Sequence, residues 1–332
     1  MSTIIFIVQQ SFFFIIPLMI VALGGMFSER SGVVNIALEG KMLMGAFVGI
    51  LFINRMQGLG VVIHFMGIPI ALEGQLLLAL ALVVAAATGV IVALLHAYAA
   101  ISLNANQVIS GVAINMLAPG LAVYTARIIG GTQQIPFSNT FRIESVPVLG
   151  DIPIIGQLFF QNTYFTTYLG FLILAITVFV IYKTRFGLRL RACGEHPQAA
   201  DSVGVNVFKV RYAGVLISGG LAGLGGLIFI IPTMATFTAT VSGYGFLALA
   251  VMIFGAWKPQ RILFSAIFFG LMQVIASSHS GIGFLASLEI PSRFYSMLPY
   301  VATLVVLGIT SNKATKNAAP KAVGQPYDKG TR

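Results

Sequence analysis

Charge is what this sequence has least of. Aspartate, glutamate, lysine and arginine make up 8% of 332 residues, and the acidic ones number 9. Soluble domains carry about 25% charged residues, so the chain lacks the polar cover that a water-facing surface needs. A single cysteine, Cys193, excludes an internal disulfide framework and reads as incidental rather than reactive. The phosphate-cradling G-x-x-x-x-G-K-[ST] is missing too. Gly40-Lys41 runs into Met42, and Asn35 stands where the first glycine belongs, which excludes ATP hydrolysis by that route. His64, His96, His196 and His279 are scattered without ligand spacing, so no metal site is expected. Gly281-x-Gly283 has no βαβ context. No catalytic set is recognisable, and the chain does not read as an enzyme.

What it has instead is apolar length: 58% hydrophobic residues, gathered in long runs. A helix needs about 20 of them to cross the hydrocarbon core. Such runs occupy 4–25, 76–99, 107–128, 164–182, 212–231, 243–257, 262–277 and 293–309, with a shorter one at 40–53. The pattern predicts an all-α polytopic membrane protein of about nine transmembrane helices, eight to ten at the limits. Residues 61–71, interrupted by His64 and Pro69, are short for a span and read as an interfacial or re-entrant piece, or as a tenth span that would move the N-terminus inward. The first basic residue is Arg30, so the first run reads as an uncleaved span rather than a signal peptide. A membrane domain thus covers 1–311, and the polar, basic tail 312–332 reads as disordered.

Basic residues exceed acidic ones by 19 to 9, a net charge of +10. They cluster in the interior loop 183–211 and in the tail, which is an orientation signal rather than a nucleic-acid footprint. The positive-inside rule puts that loop, the Lys258/Arg261 turn and the C-terminus in the cytoplasm. With nine spans the N-terminus lies outside, as does a long loop at about 130–162 suited to a hairpin or a short amphipathic helix. Within 183–211, Pro197 suits a first helical position and Gly204 suits the left-handed residue that ends a helix. A short capped helix facing the cytosol suits docking, although such a loop can also serve only to fix topology.

Three groups of residues invite a functional reading. Glu29-Arg30-Ser31-Gly32-Val33-Val34-Asn35-Ile36-Ala37-Leu38-Glu39-Gly40-Lys41 packs polar groups between apolar runs, with Asn35 and Glu39 one helical turn apart. They either line an aqueous path or belong to an ordinary turn at the headgroups. Asn104, Gln107, Gly111 and Asn115 form one helical stripe, either a substrate path or interhelical glue; Gln273 poses the same question. Gly214, Ser218, Ala222 and Gly226 recur every four residues, as close helix packing requires.

The stretches E-R-S-G-V-V-N-I-A-L-E-G-K-M-L-M-G-A, N-Q-V-I-S-G-V-A-I-N-M-L-A-P-G-L and R-A-C-G-E-H-P-Q-A-A-D-S-V-G-V-N-V resemble the permease subunits of bacterial ABC importers. The branch is the one for simple sugars, branched-chain amino acids and nucleosides, and the wording is most like the nucleoside type. The likeness runs in family order to about Ile309. Many relatives carry Glu where Gln107 stands. The resemblance implies alternating access in the inner membrane, with nucleosides as cargo and simple sugars as the alternative. An ion-coupled carrier would use embedded carboxylates, of which Glu39 is the main one here. The resemblance also implies partners: an ATPase with two fused cassettes that uses ATP and magnesium, a second permease (heterodimer or homodimer), an extracytoplasmic binding lipoprotein, and membrane lipid. This chain would bind no cofactor. Gly194, Glu195, His196, Pro197, Ala199, Ala200, Asp201 and Gly204 would form the coupling helix seated in the ATPase.

Overall fold

Apolar runs in lipid must satisfy their own backbone, which leaves the helix as the local solution. The computed structural model describes residues 2–60, 62–65, 68–281, 287, 291–310 and 319–328. Its helices are α1 (Ser2–Arg30), α2 (Leu38–Leu59), α3 (Gly74–Ala97), α4 (Gln107–Gly130), α5 (Phe165–Lys183), α6 (Arg185–Glu195), α7 (Pro197–Ser202), α8 (Val207–Thr233), α9 (Tyr244–Phe254), α10 (Pro259–Ser278) and α11 (Ser292–Thr310). Among the described residues, 7 helices are long and apolar enough to cross a membrane: α1, α2, α3 with its π-helical extension to Ser102, α4, α5, α8 and α10. The protein is an all-α polytopic membrane protein.

Caps fix several ends. Asn106 accepts from the Val108 and Ile109 amides at the start of α4, and Asn206 from Lys209 at the start of α8. Gly60 and Gly131 close α2 and α4 in the left-handed conformation.

The core sits around α8. In its most apolar stretch 72% of residues are buried, against 22% in α4, so α8 is central and α4 peripheral. Small residues permit that position. A Cβ on Gly219 would strike the Gly89 backbone of α3, and one on Gly223 the Ala85 carbonyl. Gly45 of α2 stands equally close to Gly223, and Gly226 to Met42. Gly214, Ser218, Ala222 and Gly226 are all buried, with Gly214 facing the Phe27 carbonyl of α1. Close backbone approach replaces the hydrophobic effect as the source of cohesion between helices in lipid.

The connections gather at two opposite ends. At one lies the 130–162 loop, where β3 (Ile135–Pro136) pairs antiparallel with β6 (Thr236–Phe237), and β4 (Arg142–Ser145) with β5 (Gln161–Tyr164). Gln9 near the start of α1 donates to the Gln157 and Gln161 carbonyls, so the N-terminus belongs to this end. At the other end the last turn of α1 meets α6. Arg30 bonds the Trp257 carbonyl there, and Gly194 abuts the Arg30 carbonyl.

Three expectations change. The described part of 61–71 forms no tenth span: β1 (Val62–Phe65) and β2 (Ile68–Ala71) pair antiparallel, each too short to cross the hydrocarbon core. The run at 243–257 contains only the 11 helical residues of α9. At 1.5 Å per residue these reach about 16 Å, half of a hydrocarbon core of about 30 Å. The tail also departs from disorder over 319–328, which lies folded against the α6 end of the protein; 312–318 and 329–332 fall outside the described residues. Backbone bonds made by Ala322 and Gly324 hold it, and composition does not reveal such bonds.

Replacing Gly219 or Gly89 with Val should therefore cost about 3 kcal/mol by overpacking. Gly120→Ala, where a Cβ meets nothing, should leave stability within about 0.5 kcal/mol. Thermal unfolding of the purified chain in detergent measures both.

Candidate functional site

Between Arg30 and Leu38 the chain leaves the helix while still inside the protein. Ser31, Val33, Asn35 and Ala37 are all buried. Gly32 takes φ +99° and faces the Arg211 guanidinium, a place only glycine fits. Non-helical backbone at this depth needs partners for its amides and carbonyls. Side chains from three helices supply them. The Val34 N–H donates to Gln107 Oε1 at 2.7 Å, and Asn115 Nδ2 donates to the Ile36 carbonyl at 2.9 Å. Asn115 Oδ1 accepts from the Gly40 N–H at 2.8 Å, so one amide closes both sides of the break. His96 Nε2 bonds the Val34 carbonyl at 2.9 Å, which makes Nε2 the protonated nitrogen and leaves Nδ1 to face Ser110 Oγ at 3.1 Å. Ser28 Oγ donates to the Val33 carbonyl.

A second layer ties this break to the core. Lys41, fully buried, donates from Nζ to Asn35 Oδ1 at 2.6 Å, and Asn35 Nδ2 donates to Ser218 Oγ of α8 at 2.5 Å. Glu39 accepts from the Gly243 and Gly245 amides at 2.9 and 2.6 Å, capping the start of α9. Glu29 Oε2 accepts from the Trp257 indole at 2.6 Å. Asn35, Glu39, Gln107 and Asn115 thus converge on one buried break. The amides of Gln107 and Asn115 hold the chain itself. Lys41 lies in the interior, not among headgroups.

Asn104 stays exposed with φ +49° and lines, with Gln107, a cavity of about 350 Å³. Gln273 lies apart on α10, half-buried. Neither makes a side-chain hydrogen bond among the described residues. His96, Ser110 and Trp257 are participants that sequence spacing does not single out. The one signal for His96 is an ionisable residue inside an apolar span. Among the described residues no group of three His, Cys, Asp or Glu could hold a metal ion.

At the α6 end, Thr184 caps α6, Pro197 opens α7, and Gly204 follows it at φ +82°. Gln198, Ala199, Ser202 and Val203 are exposed, Glu195 and Asp201 half-exposed, and His196 exposed. Pro197, Ala200 and Gly194 are buried. The protruding turn therefore offers Ala199, while Ala200 packs inward. Cys193 is buried beside this turn, and burial pushes its thiol up to about 11, against a smaller pull from Arg211.

The model of the branched-chain amino acid transport system / permease component family matches residues 7–307. The chain belongs to this permease family. It is 44% identical to the guanosine ABC transporter permease protein NupQ of Bacillus subtilis (strain 168), over 98% of this chain and 97% of that one. It is 38% identical to the nucleoside ABC transporter permease protein NupC of Lactococcus lactis subsp. cremoris (strain MG1363), over 99% and 98%. Similarity to the nucleoside ABC transporter permease protein NupB of the same organism is 24%, over 77% and 68%. No solved structure matches the chain significantly.

Asn115→Ala should strand the Gly40 amide and the Ile36 carbonyl, costing about 2 kcal/mol, while Asn104→Ala stays within about 0.5 kcal/mol in the same thermal assay. Only a thiolate alkylates readily, so with the Cys193 thiol near 11 the folded chain should be almost inert to maleimide at pH 7. Its labelling rate should rise roughly tenfold per pH unit up to about pH 10, and unfolding in dodecyl sulfate should abolish the protection.

Proposed function

We propose that this chain is the permease subunit of an ATP-driven importer that carries nucleosides across the bacterial inner membrane. What carries the reading is likeness at 38 and 44% identity, over almost the whole length of both partners, to permeases named for nucleosides and for guanosine. The second permease of the pair would be a related chain, as NupB and NupC coexist in one organism. ATP and magnesium are handled by a separate ATPase, and cargo arrives on an extracytoplasmic binding protein.

In this reading the α6 end faces the cytoplasm. Its Lys183, Arg185, Arg189, Arg191, Lys209 and Lys258 fit the positive-inside rule, and the 130–162 end faces outward. The turn around α7 is the coupling helix. Ala199 and its exposed neighbours contact the ATPase, while Pro197, Ala200 and Gly194 hold the turn to the membrane domain. Closure of the ATPase pair pushes on α7, and the glycine-lined contacts of α8 let helices slide without unpacking. The clamped break at 31–37 moves as one piece with α2 and α4. Of the expected path residues, Asn104 and Gln273 keep their amides free for cargo.

Uptake of labelled guanosine by cells expressing the complete transporter should be suppressed by excess unlabelled nucleosides and not by ribose. Suppression by ribose alone would reassign the cargo to simple sugars. Ala199→Trp should lower uptake tenfold or more at unchanged membrane abundance, by blocking the ATPase contact. Ala200→Trp should instead reduce abundance, since that side chain is packed inside.

A further inference from the structure

The tail segment 319–328 is seated on three elements at once. The Ala322 N–H donates to the Gly194 carbonyl at 2.8 Å, satisfying one of the orphan acceptors that a helix C-terminus leaves. Gly194 lies three residues before the start of α7. The Gly324 N–H donates to the Gly32 carbonyl at 3.2 Å, within the 31–37 break, and Gly324 itself needs φ +80°. The Gln325 carbonyl accepts from Arg211 Nη1 at 3.0 Å, at the start of α8. Tyr327 is buried against the edge of Phe208, ring centroids 5.4 Å apart, with the Arg211 guanidinium 5.8 Å from its ring. Arg211 is itself buried, and its Nε and Nη2 have no hydrogen-bond acceptor among the described residues. The tail therefore supplies this cation with a carbonyl and an aromatic face.

The same segment walls a cavity. Gly324 and Pro326 face Val34, Asn104 and Gln107 across about 350 Å³ of space. Release of the segment would open that cavity on one side.

The geometry points to a latch. Segment 319–328 is an internal ligand that binds one relative placement of α6, the 31–37 break and α8, and so restrains α7 until it is displaced. The regulatory consequence rests on the importer reading given above. A ligand that touches three bodies in one arrangement favours that arrangement by the contacts it would lose in any other. Motion of α7 relative to α8 separates Gly194 from Arg211, and one short peptide cannot then reach both. The tail thus damps cycling in the absence of cargo, and also closes the space in front of Asn104 and Gln107.

The test uses the complete transporter in lipid nanodiscs. Truncation after Ala318 should raise cargo-independent ATP turnover about fivefold or more, the lower end of ordinary coupling between sites. A synthetic peptide of residues 319–328 should bring it back down. Tyr327→Ala, which removes the ring over Arg211, should resemble truncation. Docking has its own readout in trypsin cleavage after Lys321, because the scissile amide is the Ala322 N–H held by Gly194. That cleavage should be several-fold faster in Tyr327→Ala than in the native chain, and equal rates overturn the docking. If the native complex hydrolyses ATP in response to cargo and truncation changes nothing, the latch is wrong and the importer reading stands. If no ATPase associates with the native chain, the importer reading fails and the regulatory role fails with it.

Discussion

The structure depends on hydrogen bonds made by amide side chains to a stretch of backbone that is neither helix nor sheet and yet lies in the interior. Most of residues 31–37 are buried, and each unmet amide or carbonyl in such a place costs about 1–3 kcal/mol. Gln107 and Asn115, aided by His96, remove that cost for Val34, Ile36 and Gly40. Once the break is fixed, much else is positioned by it. Glu39 projects from its far side to cap α9, Asn35 passes contact from Lys41 on to α8, and Glu29 with Arg30 holds Trp257. Two of the polar residues that resemble a permeation path, Gln107 and Asn115, spend their amides in this arrangement on the backbone of the break.

Around that fastening the packing is of another kind. Many of the α8 contacts are made by glycines whose backbones touch those of α2 and α3, with only a few side chains, such as Leu227 against Gly49, set between them. Interlocked ridges resist translation, and smooth backbone-to-backbone contact resists it much less. A rigid polar clamp beside smooth small-residue seams suits a protein that must change shape as a few bodies and keep each body intact.

How much of this is written in the sequence depends on distance along the chain. Helices of some twenty apolar residues are legible because each is a local property, and the runs at 4–25, 107–128 and 212–231 appear as α1, α4 and α8. The end of α7 is legible for the same reason: Pro197 and Gly204 act within one turn. The roles of Gln107 and Asn115 are not, since their partners lie 73 to 79 residues away and a stripe of amides looks alike whether it faces cargo or backbone. The docked tail is hidden more deeply. Its composition is that of a disordered segment, and what orders it is two backbone amides, one arginine and one tyrosine ring. The short α9 misleads in another way, because apolar run length counts residues without knowing which of them are helical.

One feature at the α6 end carries a practical consequence. The chain's only sulfhydryl sits enclosed beneath the turn that leads into α7. The wild-type protein is therefore, at neutral pH, its own reporter-free background. Spin labels, fluorophores or crosslinkers can be installed at any added thiol on the outer loop, on α7 or along the tail without first removing the native one. Distances between those probes can then be followed in a molecule that otherwise keeps its natural sequence.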